Sequence, residues 1–302
     1  MTNAMPRRAA VALLGGFFSS ALTPAPAQIT APSASPTPEE PHHLFVTDAT
    51  TPQEIPAHIA DAVFIEATIN DRKMWFLLDS GSSGLAILRT AADAAQVLKN
   101  ERGVYTADMT VGSLMARDCH FGRLEGSGIA ADGTHVSGII GAPFFNSNVT
   151  TIDWLGKRVT IYPNGSFAAK QFRARPIPIG FTSRLPIVHA TFGDKRATML
   201  LDSGSSRTML FQPFAKDVTL GPQLGDFRGV KFIDRNPVPG QEWLAKPFVI
   251  GAYKFAAPLI IIANDPPEWI TRLFLDGIIG RDILRAFSVT FDYTNALVYL
   301  ER

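Results

Sequence analysis

The sequence predicts an all-β protein built of two homologous lobes related by a pseudo-two-fold axis, and three observations carry that prediction. The string Leu-Leu-Asp-Ser-Gly-Ser-Ser occurs twice, as Leu77 to Ser83 and as Leu200 to Ser206, and ten of the twenty positions from Phe64 to Ser83 are identical to those 123 residues further on. A second block, Gly138-Ile139-Ile140-Gly141 with Thr151 and Asp153, returns as Gly277-Ile278-Ile279-Gly280 with Thr290 and Asp292 at an offset of 139. Between these blocks the chain alternates short runs of Val, Ile, Phe and Thr with Gly, Pro, Asn and Asp, the pattern of strands and tight turns. The order of the blocks is kept, so the pattern is duplication. The difference between the offsets places 16 extra residues in the second copy between Ser206 and Ile250. Added length costs least in a loop or hairpin, which is where this insertion is expected.

The elements follow in chain order. Residues 1–27 have the features of an export signal: Arg7-Arg8, a short apolar run from Ala9 to Ala21, and Ala25-Pro26-Ala27 as a small-residue cleavage site. The run is too short to span a bilayer. The Pro- and Ala-rich stretch 28–58 reads as a disordered spacer. The first lobe is assigned to 59–165, with strands at Ala62 to Ile69 and Met74 to Leu78, a helix at Thr90 to Lys99, and a terminal strand pair, Val149 to Trp154 and Arg158 to Tyr162. A connector at 166–184 is interrupted by Pro176, Pro178 and Gly180. The second lobe, 185–302, repeats the plan with strands at Leu185 to Phe192 and Phe248 to Phe255, a helical turn at Arg281 to Phe287, and strands at Phe287 to Tyr293 and Ala296 to Leu300.

Composition excludes several function classes. With 302 residues, 46% hydrophobic and 18% charged, the chain can bury a full core and fill two lobes. A formal net charge of +1 without long like-charge runs argues against a nucleic-acid or membrane-surface binder. The nearest basic cluster, Lys170, Arg173 and Arg175, reads as a solvated connector. Cys119 is the single cysteine, so no intramolecular disulfide forms, and it carries no nucleophile signature. The six histidines show no metal-ligand spacing beyond the adjacent His42-His43, and neither metal nor cofactor is expected. Gly126-Ser127-Gly128 falls short of a nucleophile elbow.

Two carboxylates, Asp79 and Asp202, each follow a buried apolar strand and precede a Ser-Gly turn. That position lies at the edge of a low-dielectric core, where ionisation is costly without hydrogen bonds. Asp-Ser-Gly-Ser-Ser after an apolar strand, followed much later by two apolar residues and Gly, resembles the active-site and ψ-loop motifs of aspartic proteases of the pepsin and retropepsin type, and here both occur twice over roughly residues 60 to 300. The resemblance implies two β-barrel-like lobes with Asp79 and Asp202 as the catalytic pair sharing one proton. It implies that Ser80 and Ser203 cross-brace the two loops, that Gly81 and Gly204 let backbone N–H groups approach the carboxylates, and that Ser82 and Ser205 donate to the outer carboxylate oxygens. It further implies a monomeric endopeptidase that cleaves extended peptide or protein substrates with apolar side chains beside the scissile bond, and the N-terminal signal adds the expectation that it is exported, periplasmic or secreted.

The chain departs from the family in places. A flap hairpin with a Tyr is expected over the cleft, and Tyr105 is the nearest candidate, although it reads more simply as a strand-end aromatic. The extra residues of the second copy, with Phe227, Phe232 and Trp243, offer another covering hairpin over 226–244. The spacer holds Glu39, Glu40 and Glu54 and no Lys or Arg, so no basic inhibitory prosegment is indicated. Two rival readings use the same fold: a catalytically silent peptide-binding or inhibitory module, and a processing factor activated by a partner. Intact Asp and Gly in both motifs favour the enzyme over the silent module.

Overall fold

The computed structural model describes residues 45–302, apart from 127, 131, 164, 231–237, 265 and 267. The protein is all-β in its main elements. A closed barrel in the first half runs from Val63–Ile69 through Arg72–Leu78, Gly138–Ile140, Leu85–Leu88, Leu114–Leu124 and Tyr105–Val111, and returns to its start through Thr68 paired with Thr110. In the second half, Leu185–Phe192, Lys195–Leu201, Gly277–Ile279, Met209–Phe211 and Leu259–Ala263 repeat the barrel's first strands in the same order and with the same strand senses. One strand differs. Where the first half runs continuously from Leu114 to Leu124, the second is split into Tyr253–Phe255 and Leu259–Ala263. Ala257 at φ +47° and Pro258, which has no N–H to give a ladder, break it there.

The two halves meet in a third sheet whose strand order is palindromic: Gln53–Ile55, Arg158–Tyr162, Val149–Asp153, Ser288–Asp292, Leu297–Glu301, Ile177–Pro178. At its centre Thr151 pairs with Thr290, residues related by the 139-residue offset, and their hydroxyls lie 2.6 Å apart in a buried hydrogen bond. The pseudo-two-fold axis therefore passes through this pair. One hydrophobic cluster holds buried side chains from both halves, with the Phe145 ring packed against Phe291 and Tyr293.

Local differences from the sequence reading have physical causes. The first-half helix spans only Arg89–Ala94, because Gln96 turns to φ +52° and Leu98–Lys99 joins the sheet edge. The predicted strand Phe248 to Phe255 is a hairpin, turned at Gly251 with φ +55°. The expected spacer 28–58 contributes to the fold from residue 45: Phe45 is buried against Phe144, and Gln53–Ile55 and Ala57–Ile59 pair with Arg158–Tyr162 and Val63–Ile69. The expected connector supplies the equivalent strands of the second half, Ile177–Pro178 and Gly180–Thr182. Both were masked by proline-rich composition. The insertion forms the hairpin of Leu220–Val230 and Val238–Ala245. Residues 1–27, His42, His43, Ser127 and Phe232 lie outside the described residues.

Candidate active site

Each motif carboxylate stands at the end of a strand held on both sides. Arg72–Leu78 pairs antiparallel with Val63–Ile69 and parallel with Gly138–Ile140, and the Asp79 N–H continues the parallel ladder to the Ile140 carbonyl at 3.0 Å. The Asp202 N–H does the same to Ile279 at 3.0 Å. The apolar run before each Asp thus fixes where the main chain leaves the sheet.

The two loops that follow grip one another. The Ser80 N–H donates to Ser203 Oγ and the Ser203 N–H to Ser80 Oγ, both at 2.9 Å, while Ser80 Oγ donates to the Leu201 carbonyl at 2.8 Å and Ser203 Oγ to the Leu78 carbonyl at 2.9 Å. Both serines are fully buried. Both N–H groups and both hydroxyls of the pair are therefore satisfied across the axis, as a buried polar cluster requires.

The glycines have a steric task beyond the turn. A Cβ on Gly81 would overlap the Asp202 carboxylate, and a Cβ on Gly204 would overlap that of Asp79. Neither glycine has a positive φ, so close approach, rather than left-handed backbone, is what demands Gly. Their N–H groups donate to their own motif carboxylates: Gly81 to Asp79 Oδ1 and Gly204 to Asp202 Oδ1, each at 2.8 Å. The expected roles of Ser82 and Ser205 need correction. The Ser82 hydroxyl donates to the Gly84 carbonyl at 3.3 Å and the Ser205 hydroxyl to the Arg207 carbonyl at 3.0 Å, each closing its own loop. Ser205 reaches the carboxylate through its backbone N–H, 2.8 Å from Asp202 Oδ1.

Each carboxylate lies against the glycine of the opposite loop, and the two are close enough that each shifts the other's pKa. Burial raises both above the ordinary carboxylate range. Asp79 is raised by burial first, then by the neighbouring Asp202 carboxyl. Two backbone donors oppose the rise at Asp202, where Asp79 has one. The pair as a unit therefore holds a proton more tightly than isolated carboxyls do.

Two neighbours of the pair escaped the sequence reading. Arg281 is buried, and its Nη1 donates to the carbonyls of Ser203 (3.3 Å) and Gly204. It has no ion pair among the described residues, and its charge faces Asp202 and Asp79. An unpaired buried cation is costly, so the anionic pair is its electrostatic partner. The signal was available: 139 positions earlier stands Ala142, so Arg281 is a departure inside a repeated block. Tyr293 is the second neighbour, its buried hydroxyl without a hydrogen-bond partner among the described residues and held neutral first by burial, then by the charges of Asp79 and Asp202.

Of the two hairpin candidates for covering the cleft, Tyr105 is buried in the strand Tyr105–Val111. The second-half hairpin contacts the Asp202 loop: Arg207 Nη2 pairs with Glu242 Oε1 at 2.9 Å and its guanidinium lies 5.7 Å from the Phe227 ring centroid. Trp243 packs against the core. No protein-family model and no curated protein matches the chain.

Proposed function

We propose that the protein is an aspartic endopeptidase with the bilobal architecture of pepsin- and retropepsin-type enzymes, and that Asp79 and Asp202 are its catalytic pair. One observation carries this reading: two duplicated, buried carboxylates set side by side on loops that grip one another, where burial raises both above the ordinary carboxylate range and favours a shared proton. Such a pair performs acid and base catalysis together. The ionised member takes a proton from a water molecule as its oxygen attacks the scissile carbonyl. The protonated member gives its proton to the carbonyl oxygen, which yields a gem-diol. The member now protonated gives a proton to the departing nitrogen as the C–N bond breaks, while the ionised member takes one from a diol hydroxyl, so that a carboxylic acid and an amine are released and one proton stays on the pair. An extended peptide would lie between the lobes, held by main-chain hydrogen bonds in the manner of strand addition. The N-terminal signal pattern adds export to this proposal.

The test is cleavage of a mixed peptide library from acid to neutral pH, with and without a pepstatin-type inhibitor that mimics the gem-diol. Asp79→Asn and Asp202→Asn should each lower turnover by about 10³-fold or more while the protein stays folded. Comparable residual activity close to wild type in both variants would refute the shared-pair mechanism. A folded protein that binds peptides and cleaves none would favour the silent module.

A further inference from the structure

A cavity of about 170 Å³ opens beside the carboxylate pair. The second half contributes Gly204, whose Cα lies against the Asp79 carboxylate, and Arg281. The first half contributes the apolar walls Phe64, Leu77 and Val136 and two carboxylates, Asp61 and Asp132, both on exposed residues. Asp61 makes no hydrogen bond or ion pair among the described residues. Asp132 accepts from the Thr134 N–H at 3.0 Å and lies 3.4 Å from His58 Nε2, a contact that is an ion pair only with a protonated imidazole. The two carboxylates outnumber the Arg281 guanidinium, the cation among the lining residues. The guanidinium is also turned to other work, donating to the Ser203 and Gly204 carbonyls.

The pseudo-symmetry gives this charge a direction. At the offset of 123, Asp61 corresponds to Arg184 and Ala62 to Leu185; at the offset of 139, Asp132 corresponds to Thr271. Leu185 is buried in its own apolar cluster. The two acidic residues of the pocket therefore have no acidic counterpart in the second half, where the equivalent positions hold Arg184 and Thr271. A symmetric pair of carboxylates cannot orient a peptide by itself. Unequal flanking charge can.

We propose that this pocket selects a lysine or arginine side chain of the bound peptide, with its methylene stem against Phe64, Leu77 and Val136 and its cationic end at Asp61 and Asp132. The inference rests on the cleft being a peptide-binding site, as proposed above, and replaces the expectation of apolar side chains on both sides of the scissile bond. Long basic side chains suit such a site, because the stem is apolar and only the tip needs charge. Selectivity comes from the carboxylates, since the walls accept any unbranched stem.

The experiment compares two non-hydrolysable reduced-amide peptides, identical except for lysine or norleucine, placed in turn at each position flanking the reduced bond. Binding is measured by calorimetry on the full chain, beside cleavage of the hydrolysable parents. The lysine analogue should bind about tenfold more tightly than norleucine at one of the two positions, with the preference falling as salt rises. Asp61→Asn/Asp132→Asn, verified as folded by its melting curve, should reduce that preference to about twofold or less. Equal or tighter binding of norleucine at both positions would overturn the pocket assignment and leave the protease reading standing. Lysine preference without cleavage of the parents would uphold the pocket and remove the catalytic reading. Failure of both analogues to bind would overturn both.

Discussion

At Asp79, burial and a neighbouring carboxylate combine so that the folded protein holds a proton that the unfolded chain would release. Its carboxyl is raised in the fold, so the native state binds more protons than the unfolded state above the ordinary carboxylate pKa of about 3.9. Stability is therefore fully present below that pH and declines as pH rises through the folded value. Asp79→Asn removes this term and keeps an acceptor for the Gly81 N–H. The variant should match wild type in thermal melts near pH 3 and exceed it increasingly towards pH 7; an equal deficit at both pH values would contradict the raised carboxyl. Arg281 acts on the same pair in the opposite direction, because its positive charge favours the ionised forms. Arg281→Gln should move the acid limb of the pH–activity profile to higher pH, and Arg281→Lys should leave it near wild type. A role in folding alone would lower activity without moving the limb.

Among the elements, the strand pair Val149–Asp153 and Ser288–Asp292 carries the axis, and its central hydroxyls satisfy each other. Removing one leaves the other buried and exposed to the full desolvation penalty, whereas removing both leaves two apolar groups of similar shape. Thr151→Val should cost about 1–2 kcal/mol in denaturant unfolding. The double variant Thr151→Val/Thr290→Val should cost less than the sum of the single variants; strict additivity would mean that the two hydroxyls do not share a bond. The strands on either side of each Asp set a comparable constraint. Parallel pairing to Gly138–Ile140 and Gly277–Ile279 leaves the carboxylates one residue beyond the ladder's last buried apolar position, so their placement follows from sheet register.

The whole molecule joins its halves through the palindromic sheet, a shared hydrophobic cluster and the serine grip. Neither half can leave without exposing the edge of Val149–Asp153 or Ser288–Asp292 and the rings of Phe145 and Phe291. Residues 45–302 should therefore unfold in one calorimetric transition, with the calorimetric enthalpy equal to the van't Hoff enthalpy. Two resolved transitions would mean that the halves are independently stable. The same architecture explains why residues 45–59 belong to the fold: they supply an outer strand of the shared sheet and the bridge from Val46 to Met115.

Duplication was legible because it is a property of residue order: Asp79 and Asp202, their serines and glycines, the strand pairs that end each copy, and the placement of the insertion in a hairpin all follow from the two offsets. Periodicity also located Leu185–Phe192 and Arg158–Tyr162 at their observed bounds. Hydroxyl partners were not legible, since Ser82 and Ser205 choose nearby carbonyls whose positions depend on loop shape. Nor was the buried Arg281 beside the pair, because its environment is assembled from the Asp202 loop, nearly eighty residues away in the chain. The acidic pocket is the same kind of fact: Asp61, Asp132 and Gly204 come together only after the halves pack. Sequence alone determined which residue types recur and with what spacing, because these are covalent. Tertiary structure alone decided which donors, charges and walls surround them, because hydrogen bonding, burial and electrostatic interaction depend on distance in space.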